Sequence, residues 1–174
     1  MTELLLGQVL SFAGDPFTMG PEAAHHAGHG AGGLANGRIV ATGPADAMRA
    51  AHPQARVTDY GRALISAGFI DAHAHFPQTA MIASWGKRLI DWLNSYTFPE
   101  EGRFADPAYA QDVANRYFDI TLANGTTSTC SFCTIHPESV DAIFSAAQSR
   151  VMRVFAGKTC MDRNAPEGLR DTPQ

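Results

Sequence analysis

Hydrophobic and polar positions in the first part of the chain follow the short, extended pattern of β-strands. The segments ELLLGQVLSF and RVTDYGRALIS predict two strands. Between them, GGLANGRIVATG predicts a β-hairpin, because Asn36 and Gly37 suit the positive φ angles of a type I′ turn. The segment PADAMRAAHP predicts a short helix that ends at Pro53.

One stretch of this region has no strand pattern. Residues 15–33, DPFTMGPEAAHHAGHGAGG, are rich in Gly, Ala and Pro, and this composition predicts a mobile loop. His25 and His29 lie four residues apart within it, but the surrounding glycines disfavour a helix that would align them. We therefore expect residues 1–65 to form a small β segment in which these two histidines are incidental.

After residue 66 the pattern changes to strands that alternate with helices. GFIDAHAHF, TTSTCSFCTI and RVFAGKTCMD predict three strands, with helical patterns between them. This alternation is typical of βαβ units with a parallel sheet. Residues 66–174 number 109, enough for about three such units, whereas a complete eight-fold barrel needs roughly 250 residues.

The two long helices of this second region carry recognisable end signals. Asp106 is a capping residue, Pro107 suits the first turn, and Gly125 follows the end of the first helix. The second helix, PESVDAIFSAAQSR, is predicted from its helical spacing to bury one face. That face comprises Val140, Ile143, Phe144 and Ala147.

Composition restricts the function classes. A hydrophobic fraction of 45% supports a packed core, and a net charge of −4 gives no reason to expect nucleic acid or an anionic membrane as partner. The first apolar run, LLLGQVL, is too short to span a membrane and lacks a basic leader, so we expect neither a membrane segment nor a secretory signal. Three cysteines do not make a disulfide framework, which favours the reducing cytoplasm.

Two histidines at the end of the first strand of the second region are the strongest candidates for chemistry. Alternate side chains of a strand share a face, so His73 and His75 are expected to point the same way and to chelate one metal ion. Barrel enzymes place their chemistry at such carboxyl ends of strands. Asp71 is expected on the same face, as a partner that orients an imidazole. The alternative is a polar strand end whose histidines are hydrogen-bonded in a core.

Longer motifs around these histidines resemble the guanine deaminase family of the amidohydrolase superfamily. They are HAHFPQTAMIASWGKRLIDWLNSYTFPEEGRFADPAYA, LANGTTSTCSFCTIHPESVDAIFSAA and GKTCMDRNAPEGLRDT. The resemblance covers nearly the whole chain and is weakest over residues 13–33. It implies an α/β fold, in which a small N-terminal β-sandwich-like segment precedes the first about three βα units of an incomplete TIM-type barrel. The implied domains are residues 1–65, part of a composite β domain, and residues 66–174, the N-terminal part of the metal-dependent barrel.

The resemblance also implies a cofactor, a substrate and residues that bind them. Zn²⁺ is the implied cofactor, and His73 and His75 are two of its implied ligands. The segment from His75 to Gln78, which includes Phe76 and Pro77, is expected to line a guanine pocket. Gln78 is expected to read the purine edge, since its amide both donates and accepts hydrogen bonds.

Three other residues have a less specific place in the implied site. Leu89 and Trp92 fall where the family packs apolar side chains near the substrate, and core packing is an equally good interpretation of both. His136, after the second strand, is expected either at the rim of the site or in a helix-capping or loop role.

Two further signals are discounted. Cys130 and Cys133 form a C-x-x-C motif, but positions i and i+3 of a strand face opposite sides, so we expect no functional pair. Lys158 could resemble the modified lysine that bridges two metals in other amidohydrolases. The guanine deaminase pattern gives it no such role, and we expect a structural ion pair.

The implied reaction is the zinc-dependent hydrolytic deamination of guanine to xanthine and ammonia. The family uses two further histidine ligands, a metal-bound aspartate and a proton-shuttling glutamate, all on later strands that this chain does not contain. We therefore expect no catalytic acid–base residue here, weak metal binding, and no turnover from this chain alone. Complete members of the family form homodimers.

The sequence leaves two alternatives to this reaction. The first is another amidohydrolase deaminase that acts on a different purine, a pyrimidine or a triazine, against which Gln78 and the stretch DWLNSYTFP argue. The second is a non-catalytic fragment that persists as an oligomer or interaction module. One departure from the family pattern is Ala67, which stands where a proline usually precedes GFID.

Overall fold

The computed structural model describes residues 2–171. The chain divides into two compact units, Met1–Ala67 and Gly68–Gln174. No helix in the described part of the chain is both long and apolar enough to cross a membrane.

The first unit contains one four-stranded sheet with the strand order β3-β2-β1-β4. Its central strand β1 pairs antiparallel with β2 and parallel with β4. One face is covered by α2, whose Ala45 and Met48 pack with Leu4, Leu6 and Ala31. The elements are β1 (Glu3–Phe12), α1 (Pro16–Met19), β2 (Ala24–Ala35), β3 (Arg38–Pro44), α2 (Ala45–Ala51) and β4 (Arg56–Ile65).

The predicted hairpin and short helix of this unit are confirmed. Asn36 and Gly37 connect β2 to β3 with φ angles of 51° and 72°, as a type I′ turn requires. The helix α2 ends at Ala51, ahead of Pro53, which cannot continue it.

The predicted mobile loop over residues 15–33 is wrong for its second half, which forms β2. Antiparallel pairing with β1 supplies backbone partners that local composition does not reveal. Small residues permit a close approach, since a Cβ atom at Gly30 would lie 2.9 Å from Val9 Cγ2. Gly30 therefore permits tight packing of the strand, whereas a Cβ atom at Gly28 or Gly32 would meet nothing within 4 Å.

The second unit contains a parallel three-stranded sheet with the order β5-β6-β7. The three predicted strands and both long helices are present, and within residues 68–171 the sheet does not close into a barrel. The elements are β5 (Phe69–His75), α3 (Leu89–Trp92), α4 (Phe98–Gly102), α5 (Pro107–Ala123), β6 (Thr126–Phe132), α6 (Pro137–Ser149) and β7 (Arg153–Gly157). A 3₁₀ turn, Phe76–Met81, follows β5, and a π-helical turn, Leu93–Thr97, joins α3 to α4.

The two long helices begin and end where the sequence predicts. The Asp106 side chain accepts a hydrogen bond of 2.9 Å from the Ala108 backbone N–H at the start of α5. In α6, Ile143 and Ala147 are buried, but Phe144 is 44% exposed, so the predicted apolar face is only partly covered.

The core of the second unit lies between the sheet and its helices. Buried side chains from α5 and α6 pack against small strand residues, including Ala74, Val154 and Ala156. Because side chains alternate along a strand, the histidine side chains of β5 lie on the opposite face from Ala74. The helices thus cover the face of the sheet that carries Ala74, and the two histidine side chains lie on the other face.

We expect replacement of Asp106 with alanine to lower the free energy of unfolding by about 1 kcal/mol, because α5 loses the side-chain acceptor at its N-terminus. Asp106→Asn keeps a side-chain oxygen and is the matched control, with a loss about half as large or smaller. Urea unfolding of the 174-residue chain, followed by circular dichroism, measures both. Equal losses for the two variants would contradict the capping role.

Candidate metal and substrate site

His73 and His75 meet at the carboxyl end of β5. Their ring centroids lie 5.2 Å apart with an interplanar angle of 66°. The alternation of side chains along a strand therefore brings the two imidazoles to one face, as the sequence predicts.

Phe132 packs on both imidazoles from the neighbouring strand β6. Its ring stacks on His75 with a centroid distance of 4.8 Å and meets His73 edge-on at 5.5 Å. The parallel register pairs His75 directly with Phe132, which explains the contact. Sequence reasoning missed this residue. The contact could have been predicted, because Phe132 ends the next strand and the carboxyl ends of parallel strands meet at one edge of a sheet.

The surroundings of His75 favour its neutral form. Burial lowers the pKa of its imidazole, and the positive charge of a protonated His73 lowers it further. A metal binds the neutral imidazole, because the protonated ring has no free lone pair. The same packing that holds the ring thus keeps a lone pair available.

The donor set fits part of a zinc site. His73 and His75 would hold the ion through their ring nitrogens, since their ring centroids lie 5.2 Å apart on one face of the strand. Among residues 2–171, no third His, Cys, Asp or Glu joins them as a potential ligand. The described residues therefore provide two of the three or four protein ligands that zinc sites use.

Asp71 does not take the place predicted for it. The β5 register shifts between Asp71 and Ala74, and this irregularity moves Asp71 away from the face of the imidazoles. Asp71 pairs with Thr129, whose hydroxyl lies 2.7 Å from the Tyr117 hydroxyl on the helix side of the sheet. Its carboxylate accepts a hydrogen bond of 3.1 Å from the backbone N–H of His73 and supports the strand instead of an imidazole.

The chain turns sharply after the histidines. Phe76 and Pro77 are fully buried, so they lie in the core and not on a pocket wall. The Phe76 backbone N–H donates a hydrogen bond of 2.9 Å to Ser131 Oγ, which ties the turn to β6. Gln78, two residues later, is only partly buried and returns to the side of His75.

An open pocket of about 370 Å³ brings the histidines and the glutamine together. Its wall also includes Trp92, whose indole N–H donates a hydrogen bond of 3.0 Å to Ser84 Oγ. Tyr117 and Ile120 contribute from α5. Leu89 does not line the pocket, and its side chain is 72% exposed.

His136 and Lys158 do not line the pocket that contains the two histidines. His136 occupies the N-terminal capping position of α6 without a side-chain capping bond, and its Nε2 atom is buried without a hydrogen-bond partner among residues 2–171. The Lys158 ammonium group lies 2.5 Å from the Asp171 carboxylate. The expected ion pair of Lys158 is confirmed.

Two family models match the chain. The one described as the amidohydrolase family matches residues 64–173. The other, an imidazolonepropionase-like composite domain of bacteria, matches residues 34–55. The chain is also 48% identical over 119 residues to the guanine deaminase of Escherichia coli strain K12, a match that spans 68% of this chain and 27% of that relative. The chain thus covers about a quarter of the length of this curated relative.

Solved structures extend the similarity to nearly all of the chain. The guanine deaminase from Bradyrhizobium japonicum is 37% identical with a TM-score of 0.90, over 99% of this chain and 38% of that one. The guanine deaminase from C. acetobutylicum, solved with guanine bound in its active site, is 25% identical with a TM-score of 0.80, over 98% of this chain and 39% of that one.

We expect an alkylating reagent at pH 8 to label Cys130 and Cys160 but not Cys133. Cys130 and Cys160 are exposed, whereas Cys133 is buried and its burial raises the thiol pKa to about 11. At pH 8 such a thiol is ionised to roughly one part in a thousand, and the thiolate is the reactive form. Mass spectrometry after brief treatment with iodoacetamide measures the labelling, with the guanidinium-unfolded chain as control. Equal labelling of Cys130 and Cys133 in the folded chain would contradict their placement on opposite faces.

Proposed function

The chain belongs to the amidohydrolase family, and from that premise we propose that it is the N-terminal part of a guanine deaminase. The proposed enzyme hydrolyses guanine to xanthine and ammonia. The observation that carries the proposal is the occurrence of His73, His75 and Gln78 on one pocket, in a chain that is similar in sequence to guanine deaminases.

Each of these residues has a defined part in the proposed reaction. His73 and His75 would hold zinc through their neutral imidazoles. When bound, zinc supplies a Lewis acid that lowers the pKa of water to about 7. Gln78 orients the purine by hydrogen bonds, and Trp92 supplies an apolar wall beside it. In the reaction, a water oxygen bonds to the ring carbon that bears the amino group, and the carbon–nitrogen bond breaks to release ammonia.

In the proposed enzyme, the other zinc ligands and the catalytic acid–base residue lie outside residues 1–174. A zinc site needs further ligands, and general acid–base catalysis needs a group that moves a proton to the leaving amine. We therefore propose that this chain alone does not turn over guanine.

The proposal also covers the domain organisation, the oligomeric state and the cellular compartment of the protein. Residues 1–65 form part of a composite β domain, an assignment supported by the composite-domain model that matches residues 34–55. Residues 66–174 form the first part of a TIM-type barrel. The complete protein is proposed to be a cytoplasmic homodimer. The three cysteines among residues 1–174 favour a reducing compartment, and the family resemblance supports the dimer.

We expect His73→Ala and His75→Ala each to lower the zinc content of the protein expressed from the complete reading frame, and guanine turnover, by about tenfold or more, because each removes a ligand. His29→Ala is the matched control, since His29 is exposed on β2 in the other unit. Elemental analysis after dialysis and an ammonia-release assay measure both quantities. Zinc content that is unchanged in both variants would contradict the ligand assignment.

Guanine is expected to have the highest kcat/KM in a panel that also contains adenine, cytosine and an amino-triazine, since the chain is similar to guanine deaminases and Gln78 can both donate to and accept from a base edge. Ammonia release from the complete protein measures this ranking. The 174-residue chain serves as a second sample and should release none. A higher value for another base would favour a different deaminase, and turnover by the 174-residue chain would contradict its proposed incompleteness.

A further inference from the structure

Ser84 lies on the wall of the pocket that contains His73 and His75, and the proposed reaction gives it no role. Its Oγ atom accepts a hydrogen bond of 3.0 Å from the indole N–H of Trp92. Trp92 lines the same pocket, and both side chains are partly buried. The hydrogen bond therefore joins two parts of one pocket wall that lie eight residues apart in the sequence.

The backbone turns at Ala83 and brings Ser84 to the indole. Ala83 has a φ angle of 64°, in the left-handed region that residues other than glycine rarely adopt. The Ser84 backbone N–H donates a hydrogen bond of 3.1 Å to the Met81 carbonyl oxygen, which closes the turn. Such a backbone conformation is costly and persists only where the surrounding contacts hold it. The hydrogen bond between Ser84 and Trp92 is one such contact.

Other contacts within residues 82–92 hold the backbone of Trp92. Gly86 packs closely against this residue, because a Cβ atom at position 86 would lie only 2.4 Å from Trp92 Cβ. The Trp92 backbone N–H donates a hydrogen bond of 3.1 Å to the Arg88 carbonyl oxygen. The Arg88 guanidinium in turn donates two hydrogen bonds, of 2.7 and 2.8 Å, to the Asp91 carboxylate. These contacts place the start of the tryptophan side chain but do not reach its indole nitrogen.

The hydrogen bond to Ser84 selects the orientation of the indole ring. The χ2 torsion of a tryptophan side chain is broad and roughly two-fold, so packing of the backbone alone leaves two orientations open. The indole has one polar atom, a donor, and only one of these orientations directs it at Ser84. In the other orientation the partly buried N–H would lose this hydrogen bond, which disfavours that orientation.

We propose that Ser84 is a positioning residue that holds the Trp92 indole in one orientation on the pocket wall, where the ring packs against a planar heterocyclic base. The identity of that base as guanine rests on the proposed function. An aromatic ring packs well against any planar base, so a fixed ring raises the affinity of the pocket for the base. Trp92 transfers no proton in the proposed reaction. Loss of its orientation should therefore weaken substrate binding more than it slows the chemical step.

The test compares Ser84→Ala with two other variants in the protein expressed from the complete reading frame. Ser84→Ala removes the acceptor, and we expect the KM for guanine to rise about fivefold, with kcat and zinc content within about twofold of the parent values. Ser84→Thr keeps a hydroxyl oxygen and should recover most of the loss. Ser95→Ala is the matched control, since Ser95 is exposed and does not line the pocket. A KM that changes equally in Ser84→Ala and Ser95→Ala would overturn the proposal.

A double-mutant comparison separates positioning of the indole from general damage to this segment. Trp92→Phe keeps an aromatic ring but has no N–H to donate. If Ser84 acts through this N–H, Ser84→Ala should change KM less than about twofold in a Trp92→Phe background. Effects on KM that multiply in the double variant would overturn the proposal.

A measurement without turnover distinguishes failure of this proposal from failure of the proposed function. In the complete protein labelled with ¹⁵N-tryptophan, the indole N–H resonance of Trp92 is the one that Trp92→Phe removes. This resonance should shift, and its hydrogen exchange with solvent should become faster, in Ser84→Ala but not in Ser95→Ala. The same response in a complete protein that does not deaminate guanine would keep the positioning role and reject only the substrate. An indole N–H that does not respond to Ser84→Ala would overturn the positioning role, whatever the activity.

Discussion

Burial of Phe76 is the constraint on which the candidate site depends. Its ring lies in the core, 5.5 Å from Phe104 and 6.2 Å from Tyr117 between ring centroids, and its backbone N–H is bonded to Ser131. Phe76 directly follows the two histidines and precedes Gln78 by two residues. The core therefore fixes where β5 ends and where the turn begins. The buried Phe76 ring thus fixes the position of His75 relative to Gln78.

Local signals in the sequence predicted the features that depend on a few neighbouring residues. Asp106 followed by Pro107 was sufficient to define the start of α5, because capping involves only the first turn of a helix. The pair Asn36-Gly37 defined its turn for the same reason. The shared face of His73 and His75 follows from the geometry of one strand. The resemblance to guanine deaminases added Gln78 and Trp92, which line the same pocket as the histidines.

Features that depend on pairing between distant segments could not be predicted from these local signals. The strand β2 forms because β1 lies beside it, although its own residues favour a loop. A register shift removes Asp71 from the face that strict alternation assigns to it. Phe132 contacts the histidines only through the β5–β6 register.

The stacking of Phe132 on the imidazoles has a consequence for the origin of metal affinity. A side chain that is free in solution loses rotamer entropy when it becomes a ligand, and this loss weakens binding. In this chain both imidazoles are exposed, but each contacts the Phe132 ring, so part of that ordering would accompany folding. The affinity of the proposed zinc site would thereby depend on the integrity of the β5–β6 ladder. A change remote from the histidines that loosens this ladder would weaken metal binding without the loss of any donor atom.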